Sequence, residues 1–146
     1  MFNENLKLVG HLDLVLTDTA GDIIDRREVD NLVVTAGKNF VASRMGGASA
    51  DVMSHMAIGT GTTAAAAGDT TLATESARTT LTSTTATDND IVYVDTFAAG
   101  TGTGAITEAG VLNASSGGTL LCRTVFSVIN KGANDSLTIT WTVTAS

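Results

Sequence analysis

The sequence predicts an all-β protein: an antiparallel sandwich, jelly-roll or immunoglobulin-like, of about eight strands with one short helix. Three observations carry this. Residues 137–144 read LTITWTVT, with Leu137, Ile139, Trp141 and Val143 apolar and Thr138, Thr140, Thr142 and Thr144 between them. Strict alternation of β-branched and aromatic residues marks a strand with one buried face. Turn-forming clusters (DTAGD, TDND, GTGTG, ASSGG, NKGANDS) separate other short β-rich runs, the spacing of hairpins in a sandwich or barrel. Finally, the 146 residues are 43% hydrophobic and only 16% charged, against ~25% charge in ordinary domains, with Thr, Ala and Gly filling the difference. A chain of this length is expected to be one domain, 1–146, burying roughly 70% of its unfolded-chain surface.

The elements follow in order. LKLVGHLDLVLTD puts Leu6, Leu8, Leu12, Leu14 and Leu16 on one face of a long strand interrupted by Gly10. DTAGD at 18–22 is turn chemistry, and IIDRREVDNLVV returns from it. The charged middle of that returning strand predicts an exposed or edge position. TAGKNFVASRMGG breaks the period of two. Thr35 is placed to cap, Phe40, Val41, Arg44 and Met45 have helical spacing, and Gly46 and Gly47 end a helix of two to three turns.

MSHMAIG then reads as a buried strand. The small-residue run near 59–76 is expected to be a long surface loop or arm, mobile like the N-terminus. Beyond it ARTTLTSTTA, IVYVDTFAA, AITEAGVLN, TLLCRTVFSVI and LTITWTVT are strands joined by turns. In IVYVDTF, Ile91, Tyr93 and Phe97 oppose Val92 and Val94, so burial on both faces is expected, and with it a partner. The last strand should be central and the N-terminal stretch peripheral.

Charge and chemistry narrow the function. A net charge of −7 and a pI near 4.5 disfavour nucleic acid and anionic membrane as partners, because both reward clustered Lys and Arg. Cys122, the one cysteine, excludes an internal disulfide and reads as a small buried hydrophobe. No charged-then-apolar leader and no membrane-length apolar run is present, so export and membrane spanning are not expected. GTGTTA (Gly59–Ala64) formally fits a dinucleotide fingerprint, but Gly68 and Asp69 would stop the required helix within two turns. GTGTG at 100–104 lacks the Lys-Ser/Thr of a phosphate loop.

His11 and His55 have no metal-ligand spacing, and Asp88 and Asp90 lack the Gly and distal Glu of a calcium loop. No catalytic, cofactor-binding or metal-binding residue is therefore assigned. Trp141, flanked by Ile139 and Val143 on its face, is expected in the core rather than stacked on a sugar. What remains is 25 Thr against two His and one Cys, a composition suited to contact. The candidate interface residues are Phe2, Thr60, Thr62, Thr63, Asp69, Thr70, Leu72 and Tyr93.

Two stretches, VDNLVVTAGKNFVASRM with MSHMAIGTGTTAAAAGDTTLATESART and the ending GAITEAGVLNASSGGTLLCRTVFSVINKGANDSLTITWTVTAS, resemble small virion proteins of tailed bacteriophages, described as tail-fibre-like or head-decoration-like. The resemblance spans roughly residues 30–146. Its marks are NLVxxAGK (Asn31–Lys38), IGTG (Ile58–Gly61), EAG (Glu108–Gly110) and NKG (Asn130–Gly132) before the threonine-alternating strand. It implies a structural protein without catalytic residues: a decoration, or cement, protein on the virion head surface, made in the bacterial host cytoplasm. Such a protein bridges major capsid subunits and is typically a homotrimer. The alternative it implies is a tail component, either a short fibre or an adaptor. Neutral threonine faces suit subunit contacts because they pack and hydrogen-bond without burying charge.

Overall fold

In the computed structural model, which describes residues 5–146, the chain runs through β1 (Leu8–Thr17), β2 (Ile23–Val33), the helix α1 (Thr35–Met45), β3 (His55–Gly59), β4 (Glu75–Thr80), β5 (Ser83–Thr87), β6 (Asp90–Phe97), β7 (Gly104–Leu112), β8 (Leu120–Lys131) and β9 (Ser136–Ala145). The class is all-β and antiparallel with a single short helix, as the sequence predicts. The strands form one curled sheet in the order β4-β3-β7-β8-β2-β1-β9-β6-β5. There are nine rather than about eight because ARTTLTSTTA is bent into two. At the bend, the Leu81 N–H donates to the Ser54 carbonyl and the Thr82 N–H to the Val94 carbonyl. The chain thus leaves β3 as its neighbour and takes up β6.

Curling brings the two halves of the sheet face to face over one core. Leu12, Leu14, Leu16, Phe97, Ile139 and Trp141 come from one half; Met56, Ile58, Ile106, Val111, Phe126 and Ile129 come from the other. β9 is central, in register with β1 from Leu8↔Ala145 to Thr17↔Ser136 and with β6 from Asp90↔Thr144 to Phe97↔Leu137. Its apolar positions are buried inside and its threonines are half-buried on the outer face. The strand that follows the N-terminal stretch is itself interior. β1 lies between β2 and β9 with three fully enclosed leucines, and only Leu6, before the strand, leaves the expected apolar face.

Gly10 is what permits this inner arrangement. It pairs with Asn31, whose Oδ1 accepts the Trp141 indole N–H at 2.7 Å. A Cβ on residue 10 would stand 1.5 Å from that oxygen, so a buried indole donor is satisfied only because glycine sits opposite.

β2 meets the edge expectation in an unexpected way. It pairs with β1 along its length but with β8 only through Leu32↔Arg123 and Val33↔Cys122. Beyond those pairs the two strands part, and Arg27 spans the gap. Its guanidinium donates to the Ser127 and Val128 carbonyls at 2.8 and 3.0 Å while paired with Asp25. The charged residues thus replace backbone pairing that the curl has opened.

The helix starts differently from the expectation. Val34 is its cap, without a side-chain bond, and Thr35 is already helical, its N–H donating to the Ala67 carbonyl. Gly46 and Gly47 do end it, with Gly47 at φ +85°. Of its residues only Gly37 is buried, against the backbone of Leu121. Phe40 and Val41 rest on the core from outside.

The two-sided burial expected for IVYVDTF is also corrected. Tyr93, Asp95 and Phe97 point inward, while Val92 and Val94 face out and are half-covered by the flanking Thr142, Thr140, Thr85 and Ser83. Neighbouring strands supply that cover, so this strand by itself calls for no partner.

Candidate functional site

Residues 60–74, between β3 and β4, form the long loop expected near 59–76. Rather than reaching away, the loop lies on the outer face of β3, β7 and β8. Leu72 sits with Val34, Ala57, Leu112 and Leu120 in a small second core beneath it. The loop is fastened by one buried carboxylate. Glu108 Oε2 accepts the N–H of Gly61 at 2.7 Å and of Thr74 at 2.8 Å, and Oε1 accepts that of Ala73 at 2.8 Å. Arg123 adds Nε and Nη2 bonds to Oε1 at 3.2 and 3.1 Å.

The remaining Arg123 donors hold the loop from the other side, Nη2 to the Thr63 carbonyl and Nη1 to Asp69 Oδ2, both at 2.8 Å. Thr107 Oγ1 donates to the Gly61 carbonyl at 2.7 Å. Side chains at residue 61 are excluded, since a Cβ there would be 2.2 Å from Glu108 Oε2. The IGTG and EAG motifs therefore meet in space, the glycines allowing the backbone onto the carboxylate. The Ala66 N–H, with Arg123 beside it, holds the Asp69 carboxyl below its usual range. A buried pair made with this many bonds avoids the desolvation penalty of an isolated ion.

The predicted contact residues separate accordingly. Thr60, Thr62, Thr63 and Thr70 are exposed on the loop. Asp69 is half-buried and engaged with Arg123. Leu72 and Tyr93 are each 5% exposed and belong to the two cores, with Tyr93 also at the floor of a hollow beside α1. Their burial is hidden in the sequence, because an apolar residue in a small-residue loop, or on a strand read as two-sided, looks free until what covers it is known. Burial pushes the Tyr93 hydroxyl up to about 12 and the Cys122 thiol up as well, so Cys122 is the inert buried hydrophobe expected. Phe2 lies outside the described residues.

Glu108 and Arg123 were not singled out from the sequence. The available signal was a lone acid in AITEAGVLN and a lone base in LLCRTVF, two otherwise apolar strands. The other buried charges are also held by protein groups. Asp95 accepts from the Thr79 hydroxyl and the Thr96 N–H, and the Lys131 ammonium donates to the Ala98 carbonyl at 2.9 Å. Among the described residues, no group of three His, Cys, Asp or Glu is placed to hold a metal ion, and no helix is long and apolar enough to cross a membrane.

A second surface surrounds α1. One hollow of about 530 Å³ lies between the helix and the start of β1, and another of about 510 Å³ between the helix and β5–β6. They share Val41 and Met45. Around them Met45 is 79%, Leu6 72% and Val52 61% exposed. Exposed apolar side chains are thus gathered around one helix. Among the described residues the charged groups lining the hollows are all cations: Lys7 and Lys38 on one side, Arg44 on the other. Compared with known protein families, with curated proteins and with solved structures, the chain matches none.

Proposed function

We propose that the protein works by contact, as a decoration protein on the head of a tailed-bacteriophage virion that bridges major capsid subunits and stabilises the shell. The virion assignment comes from the sequence resemblance. The observation that carries the contact reading is the apolar surface around α1, where Met45, Leu6 and Val52 stand exposed beside two hollows. The buried charges support it, because Glu108, Arg123, Asp95 and Lys131 are all engaged in holding backbone or neighbouring side chains. Many identical weak contacts on a closed shell sum to a large stabilisation of the particle.

The experiment is quantitative proteomics and cryo-electron microscopy of purified virions, with heat-release assays on particles lacking the protein. The expected result is a copy number in proportion to the shell subunits, density on the head, and DNA release at lower temperature without it. A few copies confined to the tail would instead make it a short fibre or adaptor and overturn the head assignment.

A further inference from the structure

The α1 surface has a counterpart on the same chain. Eight residues are Lys or Arg. Arg26, Arg27, Arg78 and Arg123 are ion-paired, and Lys131 is buried. The other three, Lys7, Lys38 and Arg44, form no ion pair among the described residues, and all three line the hollows beside α1. In a chain of net charge −7, that places its spare positive charge on its most exposed apolar ground.

The turn joining β1 to β2 has the opposite character. Ile23 and Ile24 are 60% and 52% exposed, with Asp18 and Asp22 before them in the turn and the paired Asp25 and Arg27 after them. Asp18 is tied into the turn by the Ala20 and Asp22 N–H groups, which fixes the tip's shape without neutralising its charge. The groove lies at the start of β1 and the tip at its end. Ten residues of strand separate them by about 30 Å, so the two cannot meet within one chain.

We propose that the protein self-associates head to tail: the acid-flanked isoleucine tip between β1 and β2 of one copy seats in the apolar hollow beside α1 of the next. There Lys7, Lys38 and Arg44 meet the carboxylates of Asp18 and Asp22. A two-fold pairing of like surfaces would set cation against cation at the groove, or acid against acid at the tip. Charge therefore selects groove-to-tip contact, which closes reciprocally as a dimer, closes as a larger ring, or runs on as a filament. The inference deepens the contact reading and rests on it, but its test needs no virion.

Two single-surface variants decide it. Met45→Asp spoils the groove and leaves the tip, whereas Ile23→Asp spoils the tip and leaves the groove. Both positions are exposed, so thermal melts should match the wild type and show that the fold is retained. Sedimentation velocity from about 1 µM to about 1 mM should show the wild-type chain associating and each variant weakened by more than tenfold in Kd. An equimolar mixture of the two should form a dimer and nothing larger, because one intact groove and one intact tip remain. In a second arm, Lys38→Asp and Asp22→Lys should each weaken association, and the two changes combined in one chain should restore it.

A wild-type chain that stays monomeric throughout overturns the inference and leaves the shell reading standing, since that is judged by occupancy on particles. Variants that associate as the wild type does, or a mixture that stays monomeric, also overturn it. A monomeric chain whose Met45→Asp variant fails to bind virions would assign the groove to a foreign partner.

Discussion

Removing the Glu108 carboxylate tests whether the 60–74 loop is part of the fold or an appendage to it. In Glu108→Ala, three backbone N–H groups (Gly61, Ala73, Thr74) and two Arg123 donors lose their acceptor at once. Leaving buried groups unsatisfied costs ~1–3 kcal/mol each, so holding the loop in place would cost more than releasing it. The expected response is that the loop lifts, water serves its amides, and the cover over Leu72 is lost, a term of ~1.5–3 kcal/mol by itself. With Arg123 left uncompensated, the total should fall near the ~3–5 kcal/mol seen when one partner of a buried pair is removed.

Urea melts give that total, and hydrogen exchange at Gly61, Ala73 and Thr74 reports the loop directly. The double variant Glu108→Leu/Arg123→Met sharpens the test. Apolar replacement of both partners often rescues a buried ion pair, yet here it should not, because the loop amides still lose their acceptor. Wild-type stability in the double variant, or unchanged slow exchange at those amides in Glu108→Ala, would refute the reasoning.

Three further outcomes are expected. Trp141→Ala should cost ~3–5 kcal/mol through the cavity it leaves, against under ~1 kcal/mol for Thr140→Ala on the outer face; equal denaturation midpoints would show the face assignment to be wrong. Gly10→Ala should cost ~1–3 kcal/mol by driving Asn31 off the Trp141 indole, and Gly10→Ala/Asn31→Ala should be little less stable than Asn31→Ala alone, since the clash is already gone. For Asp95, burial raises the carboxyl above its ordinary range despite the Thr79 hydroxyl and Thr96 N–H bonds, with His55 nearby. The folded chain thus holds this proton more tightly than the unfolded one. Stability should therefore rise as pH falls from neutrality through that raised value towards ~3.9. Melts of the wild type and Asp95→Asn across this range should diverge, the wild type gaining on the variant, and parallel curves would count against it.

The fold was legible where one side chain in two faces a core. β9 could be read at sight because every second residue is threonine, and the Asp88–Asn89 turn and the Gly46–Gly47 stop are local chemistry that no distant contact overrides. What the sequence hid was cover. Leu72 and Tyr93 look free in one dimension and are covered by segments far along the chain, as the outward valines of β6 are in part. The same blindness concealed the Glu108–Arg123 pair, whose partners are fifteen positions apart and whose purpose appears only once the loop is laid over them. The bend at Leu81 was invisible for a related reason. Nothing in ARTTLTSTTA breaks a strand, and only the competing pull of β3 and β6 divides it. The α1 surface was half-visible: the helical spacing was plain, but the spacing alone does not say which apolar residues stay uncovered.

That bend has a consequence for how the protein fails. A sheet that curls without closing keeps two edges, and here both are cut from one short piece of chain, β4 and β5. β5 reads STTAT and is exposed along its whole length, with neither the charge nor the proline by which edges are ordinarily guarded. While Leu81 and Thr82 stay tied to Ser54 and Val94, that edge is short and anchored. Under heat or mild denaturant the two ties are the first places where the curl can open. A neutral, β-prone ribbon then faces solvent in every copy, and in a concentrated preparation the ribbons add to one another. Aggregation should therefore begin at this corner, well before the core around Trp141 is disturbed, and a single lysine in β5 should delay it.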